Sequence, residues 1–181
     1  MSKNFGFDPL FILVTGATGN QGGSVARRLL EHGHRVRALT RKPDSPAANE
    51  LEKLGAEISV GNFNDRNSLE RAATDVDAIF AMGTSFEEGT VSEPRQAIAI
   101  AETAKKLDIG HLVYSSVGSA DQNTGIPHFE SKYKVEQHIE SLGIPYTIFG
   151  PVFFCENHVF EDWAKKVDWR ILDQPVPQCE H

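Results

Sequence analysis

The sequence predicts an α/β fold, a doubly wound parallel sheet with helices on both faces. Two observations carry that prediction. Short apolar runs alternate with longer segments of helical period from about residue 10 to residue 150. The apolar runs are compact and nearly continuous, as strands buried on both faces must be. Strands that alternate with helices return in parallel through right-handed crossovers, which places helices on both faces of the sheet.

Each element can be read in order. Leu10–Thr15 is an apolar run ending at Gly16, a buried first strand. Gln21–His32 pairs Val25 with Leu29 and Ala26 with Leu30 at i, i+4 spacing, and Gly33 stops this helix. Arg35–Thr40 alternates Val36, Ala38 and Thr40 against Arg35, Arg37 and Leu39, a second strand. Pro46–Leu54 is a helix stopped by Gly55, and Glu57–Val60 is a third strand. Asp65–Ala73 is a short helix with Asn64 as its expected N-cap. Ala78–Met82 is a fourth strand, followed by a long helix over Glu93–Leu107 with an inner stripe of Ala97, Ile100, Ala101 and Ala104. His111–Ser115, a helix over Phe129–Leu142 stopped by Gly143, and Tyr146–Phe149 complete the series. After Gly150 the pattern degrades. Glu156–Val167 reads as one more helix, while Asp168–His181, with Pro175 and Pro177, offers no packing face. The expectation is one domain over residues 1–181, an irregular tail from about 158, and a C-terminal substrate part that is short or missing.

Composition narrows the function. With 181 residues and 40% hydrophobic content, the chain can bury a real core. A net charge of −7 and the lack of any Lys/Arg block argue against direct nucleic-acid binding. The run Leu10–Val14 is too short for a signal-peptide core or a membrane span, so a cytoplasmic protein without membrane contact is expected. The two cysteines, Cys155 and Cys179, form no CxxC and no His/Cys cluster, so no metal site is expected.

The segment that carries chemistry is Val14–Gly23, VTGATGNQGG. Gly16, Gly19 and Gly22 form GxxGxxG between the first strand and the first helix, the context in which such glycines cradle a pyrophosphate. They permit a tight turn, a close backbone approach to the phosphates and close helix–strand packing. Ala17, Thr18, Asn20 and Gln21 belong to the same loop, and the helix that follows points its free N–H groups at the phosphates. The competing reading is a purely structural turn. At the end of the second strand, where NAD binders place a carboxylate for the ribose 2′-OH, stand Thr40, Arg41 and Lys42. Two cations suit a 2′-phosphate, which Arg41 can grip bidentately, so NADP(H) is expected over NAD(H). A solvated basic turn is the plainer alternative. Together these features make the fold Rossmann-type.

Three segments carry a family resemblance: TGATGNQGGSVARRLLEHGHRVRALTRKP, GNFNDRNSLERA and HLVYSSVG. They resemble the NmrA-like group of atypical short-chain dehydrogenases/reductases, over about residues 10 to 160. That group includes NADPH-sensor proteins and NADPH-dependent quinone and azo-dye reductases. The resemblance implies NADP(H) binding through Gly16 to Gln21 and Arg41. It also implies that Asn62 and Phe63 flank the adenine, that Gly83, Thr84 and Ser85 lie along the cofactor, and that Arg95 is a basic position near it. In PVFFCEN, from Pro151 to Asn157, it implies a loop over the nicotinamide, with Phe154 in contact; Phe153 and Phe154 as plain core residues are the alternative.

Ordinary short-chain dehydrogenases pair a tyrosine acid with a lysine four residues later. Here Lys132 matches the lysine, but His128 occupies the tyrosine position. Tyr133 cannot substitute, because a helical neighbour of Lys132 points about 100° away. Histidine is a competent general acid near neutral pH, so Lys132 and His128 are the candidate catalytic pair. A solvated histidine at a helix mouth is the alternative. Ser115 and Ser116 end the fifth strand at the carboxyl edge, where ligands bind in open α/β sheets, so Ser115 is expected to hydrogen-bond the cofactor; a plain strand-end turn is the alternative. Gly150 stands where the family often has arginine. Two functions follow: a weak NADPH-dependent oxidoreductase of a small-molecule acceptor, or a redox sensor that responds to NADP(H) through a regulatory protein partner.

Overall fold

The computed structural model describes residues 8–83, 92–122 and 125–152. Residues 1–150 form one compact unit, and residues 151–181 a second, of which only Pro151 and Val152 are described. The first unit runs β1 (Phe11–Val14), α1 (Asn20–Glu31), β2 (Arg35–Thr40), α2 (Pro46–Lys53), β3 (Glu57–Val60), α3 (Arg66–Ala73) and β4 (Ala78–Met82). It continues through α4 (Ser92–Lys106), β5 (His111–Ser115), a short 3-10 turn (Ala120–Gln122), α5 (Pro127–Leu142) and β6 (Tyr146–Phe149).

The strands form one six-stranded sheet in the order β3-β2-β1-β4-β5-β6. Every pair is parallel, with Val14 opposite both Ala38 and Phe80. This is the doubly wound parallel sheet expected from the alternation of elements. The chain walks outward from β1 to β3, then returns to β4 on the other side of β1. The carboxyl ends of β1 and β4 therefore flank the crevice at which such sheets bind ligands.

Strand β1 shows how the sequence builds two layers. Phe11 and Leu13 enter one core with Leu69 of α3, Ile100 of α4, and Val135 and Ile139 of α5. Ile12 and Val14 enter the other with Ala26 of α1 and Leu51 of α2. Alternate side chains of a strand point to opposite faces, so a continuous apolar run serves both layers. The stripe Ala97, Ile100, Ala101 and Ala104 is buried along α4 as the helical period requires.

Strand β1 and helices α1, α2 and α4 differ from the sequence reading by one residue at one or both ends; the starts of α3 and α5 differ for a physical reason. The N-cap of α3 is Asp65, whose carboxylate accepts from the Asn67 N–H at 3.0 Å; Asn64 lies outside the helix. Helix α5 begins at Pro127 rather than Phe129. Proline suits the first helical position, where its missing N–H has no intrahelical acceptor. His128 is therefore helical, four residues from Lys132 and on the same side of α5. The segment Glu156–Val167 and the tail from 158 lie outside the described residues. Among the described residues, no helix is long and apolar enough to cross a membrane.

Candidate functional site

The loop after β1 is tied to the end of β4. The Thr15 hydroxyl accepts the Met82 N–H at 3.0 Å, and the Gly19 N–H donates to the Gly16 carbonyl at 3.0 Å. The three motif glycines prove to have different reasons. Gly16 sits at φ +61°, and a Cβ there would lie 2.8 Å from Met82 Sδ. A Cβ on Gly22 would lie 2.3 Å from the Gly16 oxygen and 2.8 Å from the Thr15 oxygen, so helix α1 packs against the loop only because residue 22 has no side chain. Gly19 is unlike both. It is extended, at φ −95° and ψ 179°, and a Cβ would meet only the Gly16 oxygen at 3.4 Å. Nothing among the described residues requires glycine at 19, whereas a ligand lying against the backbone would.

Gly19 caps α1 without any side-chain hydrogen bond, and no acidic residue occupies the first turn. The first bond of the helix runs from the Gly23 N–H to the Gly19 carbonyl at 2.9 Å. The N–H groups of Asn20, Gln21 and Gly22 thus have no intrahelical acceptor, and they sit at the positive end of the helix dipole. That is the donor set an anion needs.

A cavity of about 490 Å³ opens from this loop across the end of β2. Gly16, Thr18 and Gly19 line one end; Arg41, Lys42, Asn62 and Phe63 line the other. No carboxylate is among the described residues that line it. Thr40 shapes the basic turn, its hydroxyl accepting the Lys42 N–H at 3.1 Å. Sequence reasoning missed the third wall, Ser45–Ala47 at the start of α2. Ser45 caps that helix by accepting the Ala48 N–H at 3.3 Å, and a serine before Pro46 is the signal that could have found it. Gly61 also lines the cavity, but its reason is packing: a Cβ would lie 2.8 Å from Ser68 Oγ. Asn62 commits its side-chain oxygen to the adjoining turn, accepting from Asn64 N at 2.8 Å and Asp65 N at 3.0 Å.

A second set of groups gathers at the carboxyl end of β5. The Gln21 side chain reaches across from α1 and donates to Ser115 Oγ at 2.7 Å. Lys132 is buried, with Nζ donating to the Ser115 carbonyl at 3.3 Å and standing 5.3 Å from the centre of the Tyr114 ring. Ser116, equally buried, donates its hydroxyl hydrogen bond to Glu136 Oε1. Burial holds the Glu136 carboxyl above its ordinary pKa, the Ser116 hydrogen bond opposes the rise, and the nearby Asp121 carboxylate adds to it.

Of the remaining sequence candidates, Ala17 is buried in the core beneath the loop, and Gly83 is buried just beyond β4. His128 is half-buried, its ring edge-on to Phe129 at 5.9 Å between centroids. Arg95 is exposed on α4 and lines a separate cavity of about 380 Å³ with Arg66, sharing only Phe63 with the first. Thr84, Ser85 and Phe154 lie outside the described residues. Glu136 was not anticipated, although its i+4 spacing from Lys132 put the two on one helix face.

These residues fit a dinucleotide. The glycine cradle and free helix N–H groups match a pyrophosphate, and the basic turn matches further negative charge. Fold and cradle together define the Rossmann class of nucleotide-binding architectures. The chain belongs to the NmrA-like family, whose sequence profile matches residues 10–167.

Relatives agree. An NmrA-like family domain-containing oxidoreductase, FrzB of a Cladobotryum species, is 34% identical over 165 residues, covering 84% of this chain and 49% of its own. The corresponding oxidoreductase hkm9 of Aspergillus hancockii is 38% identical over 165 residues, covering 86% and 48%. The chain thus spans about half the length of these curated relatives. Among solved structures, the triphenylmethane reductase of a Citrobacter species superposes with a TM-score of 0.76 at 25% identity, over 85% of this chain and 53% of that one. NmrA, a negative transcriptional regulator solved in complex with NADP, superposes with a TM-score of 0.69 at 25% identity, over 77% and 44%.

Proposed function

We propose that this chain binds NADP(H) in preference to NAD(H) and serves its slow oxidation by a small, flat electron acceptor. The observation that carries the reading is the cavity from Gly19 to Arg41 and Lys42, whose described lining holds two cations and no carboxylate. A dinucleotide laid along it puts its pyrophosphate on the α1 N-terminus and a 2′-phosphate beside Arg41. Charge-assisted, bidentate pairing there favours NADP(H). Bound NADPH supplies hydride, and the protein binds and orients it. Lys132, held on the Ser115 carbonyl, would hold the far ribose, with Gln21 and Ser115 bonded to each other beside it. The named oxidoreductases among the relatives and the dye reductase among the structures support this direction. Turnover is slow because residue 128 is histidine rather than a phenol acid.

A second reading has a specific observation behind it. His128 packs edge-on against Phe129, which serves a helix start as well as it serves an active site. In that case the chain is a non-catalytic, NADP(H)-responsive regulator acting through a protein partner in the cytoplasm; that NmrA is a negative transcriptional regulator solved with NADP supports a regulatory role. Binding and turnover measured on one preparation separate the two. NADPH oxidation with quinones, azo dyes or triarylmethane dyes, lost in Lys132→Ala, supports the reductase. Tight binding with no oxidation by any acceptor overturns it in favour of the regulator.

A further inference from the structure

Hydride transfer to a neutral acceptor leaves a proton to be found. A quinone that takes hydride needs one proton as well, and the residue at the helix mouth here is His128, not a tyrosine. The structure offers a different group. Ser116 follows β5 directly, at the carboxyl edge of the sheet, and its N–H donates to the Phe149 carbonyl at 2.8 Å, which pins it in place. Its hydroxyl is hydrogen-bonded to Glu136. Glu136 lies one turn beyond Lys132 on α5, and Lys132 bonds the carbonyl of the preceding residue, Ser115. Lysine, serine and glutamate therefore stand side by side at the end of one strand.

We propose that Glu136, acting through the Ser116 hydroxyl, supplies the proton of the reduction. The proposal rests on the reductase reading above. The step balances: the quinone gains two electrons and one hydrogen as hydride from NADPH, which becomes NADP+. The resulting anion takes the Ser116 hydroxyl proton and becomes the hydroquinone. Ser116 is reprotonated by the Glu136 carboxylic acid, and the carboxylate left behind is refilled from water. With Glu136 ionised, Ser116 is turned toward it as donor. With Glu136 protonated, the carboxyl donates instead, and the hydroxyl hydrogen is free to face the acceptor.

The surroundings suit a carboxyl that holds a proton. Burial raises its pKa; Asp121 from the 3-10 turn and Glu140 from its own helix push the same way, against the Ser116 hydrogen bond and Lys132. From α4, Glu102 stands 3.7 Å from His138, two residues further along α5.

Two acceptors test the proposal. A cationic triarylmethane dye becomes neutral on taking hydride and needs no proton, whereas a quinone does. Glu136→Gln keeps the shape of the side chain and a hydrogen-bond acceptor for Ser116. It should lower the ratio of quinone to dye rates about ten-fold or more, in keeping with a positioned proton donor. It should also flatten the fall of the quinone rate with rising pH. A second readout needs neither cofactor nor turnover. In a carbon-13 NMR titration of the free chain, Ser116→Ala should move the Glu136 midpoint upward, because a hydrogen bond favouring the carboxylate is gone. An unchanged rate ratio, with the dye still reduced, overturns the proposal alone, as does a Glu136 midpoint indifferent to Ser116→Ala. If the parent chain reduces neither acceptor, the reductase reading fails and the proposal with it.

Discussion

Replacing Gly19 by valine and, separately, Gly22 by alanine separates a ligand's demand from the fold's. The larger change should do less to the fold. At Gly22 a Cβ would press on three backbone atoms, 2.3 to 2.8 Å away, and backbone cannot swing aside as a side chain end can. Overpacking of this kind costs about 1–3 kcal/mol. For a domain of this size that lowers Tm by about 3–10 °C. At Gly19 the backbone is extended, which valine adopts readily, and the nearest atom to a Cβ is 3.4 Å away. The loss of glycine as an N-cap and the gain from a stiffer unfolded chain nearly cancel, leaving a change within about 1 kcal/mol. Cofactor affinity should move the other way. A branched side chain at 19 stands where the pyrophosphate approaches, and a clash of about 1–3 kcal/mol weakens binding about 5–150-fold. Thermal unfolding and calorimetric titration with NADPH on both variants make the test. Normal binding by Gly19→Val, or a loss of stability matching that of Gly22→Ala, would refute the placement of the phosphates.

Other expectations follow from the same geometry. Arg41→Ala should weaken NADP(H) about ten-fold or more, since a charged hydrogen bond is worth about 1.5–3 kcal/mol, and leave NAD(H) nearly unchanged by calorimetry. Lys132→Ala should remove acceptor reduction in a spectrophotometric assay of NADPH, while His128→Ala changes it much less. Stability should depend on pH through Glu136. Because burial raises its folded pKa, the folded state keeps a proton that the unfolded chain releases near 4.5. Stability from this group therefore falls as pH rises past that value toward the folded pKa. Glu136→Gln lacks the fall, so the Tm of the variant relative to the parent should climb over that window; a constant difference in thermal unfolding would contradict this.

Much of the fold was legible because parallel strands in such a sheet are short, apolar and separated by glycines. The run FILV at β1 served both cores, and its neighbours followed in order. The errors with a clear physical cause fell where polar residues begin helices. Nothing apolar marks Pro127 and His128, so the apolar period of α5 begins only at Phe129. Two polar residues in a row, Asn64 and Asp65, left the cap of α3 ambiguous. The site was legible where it is local, in Gly16 to Gly22 and Arg41–Lys42, because one loop and one strand end supply it. It was hidden where it is assembled from afar. Ser45–Ala47 join the cavity only because β2 lies beside β1, and Glu136 meets Ser116 only because α5 packs back over β5. No spacing in the chain announces either contact.

The central claim is that the glycine cradle and the basic turn hold NADP(H), and calorimetric titration of the parent chain with NADP(H) and NAD(H) tests it most directly. The account predicts one site per chain, with NADP(H) bound about ten-fold or more tightly than NAD(H). No binding of either nucleotide, or equal affinity for the two, would contradict it.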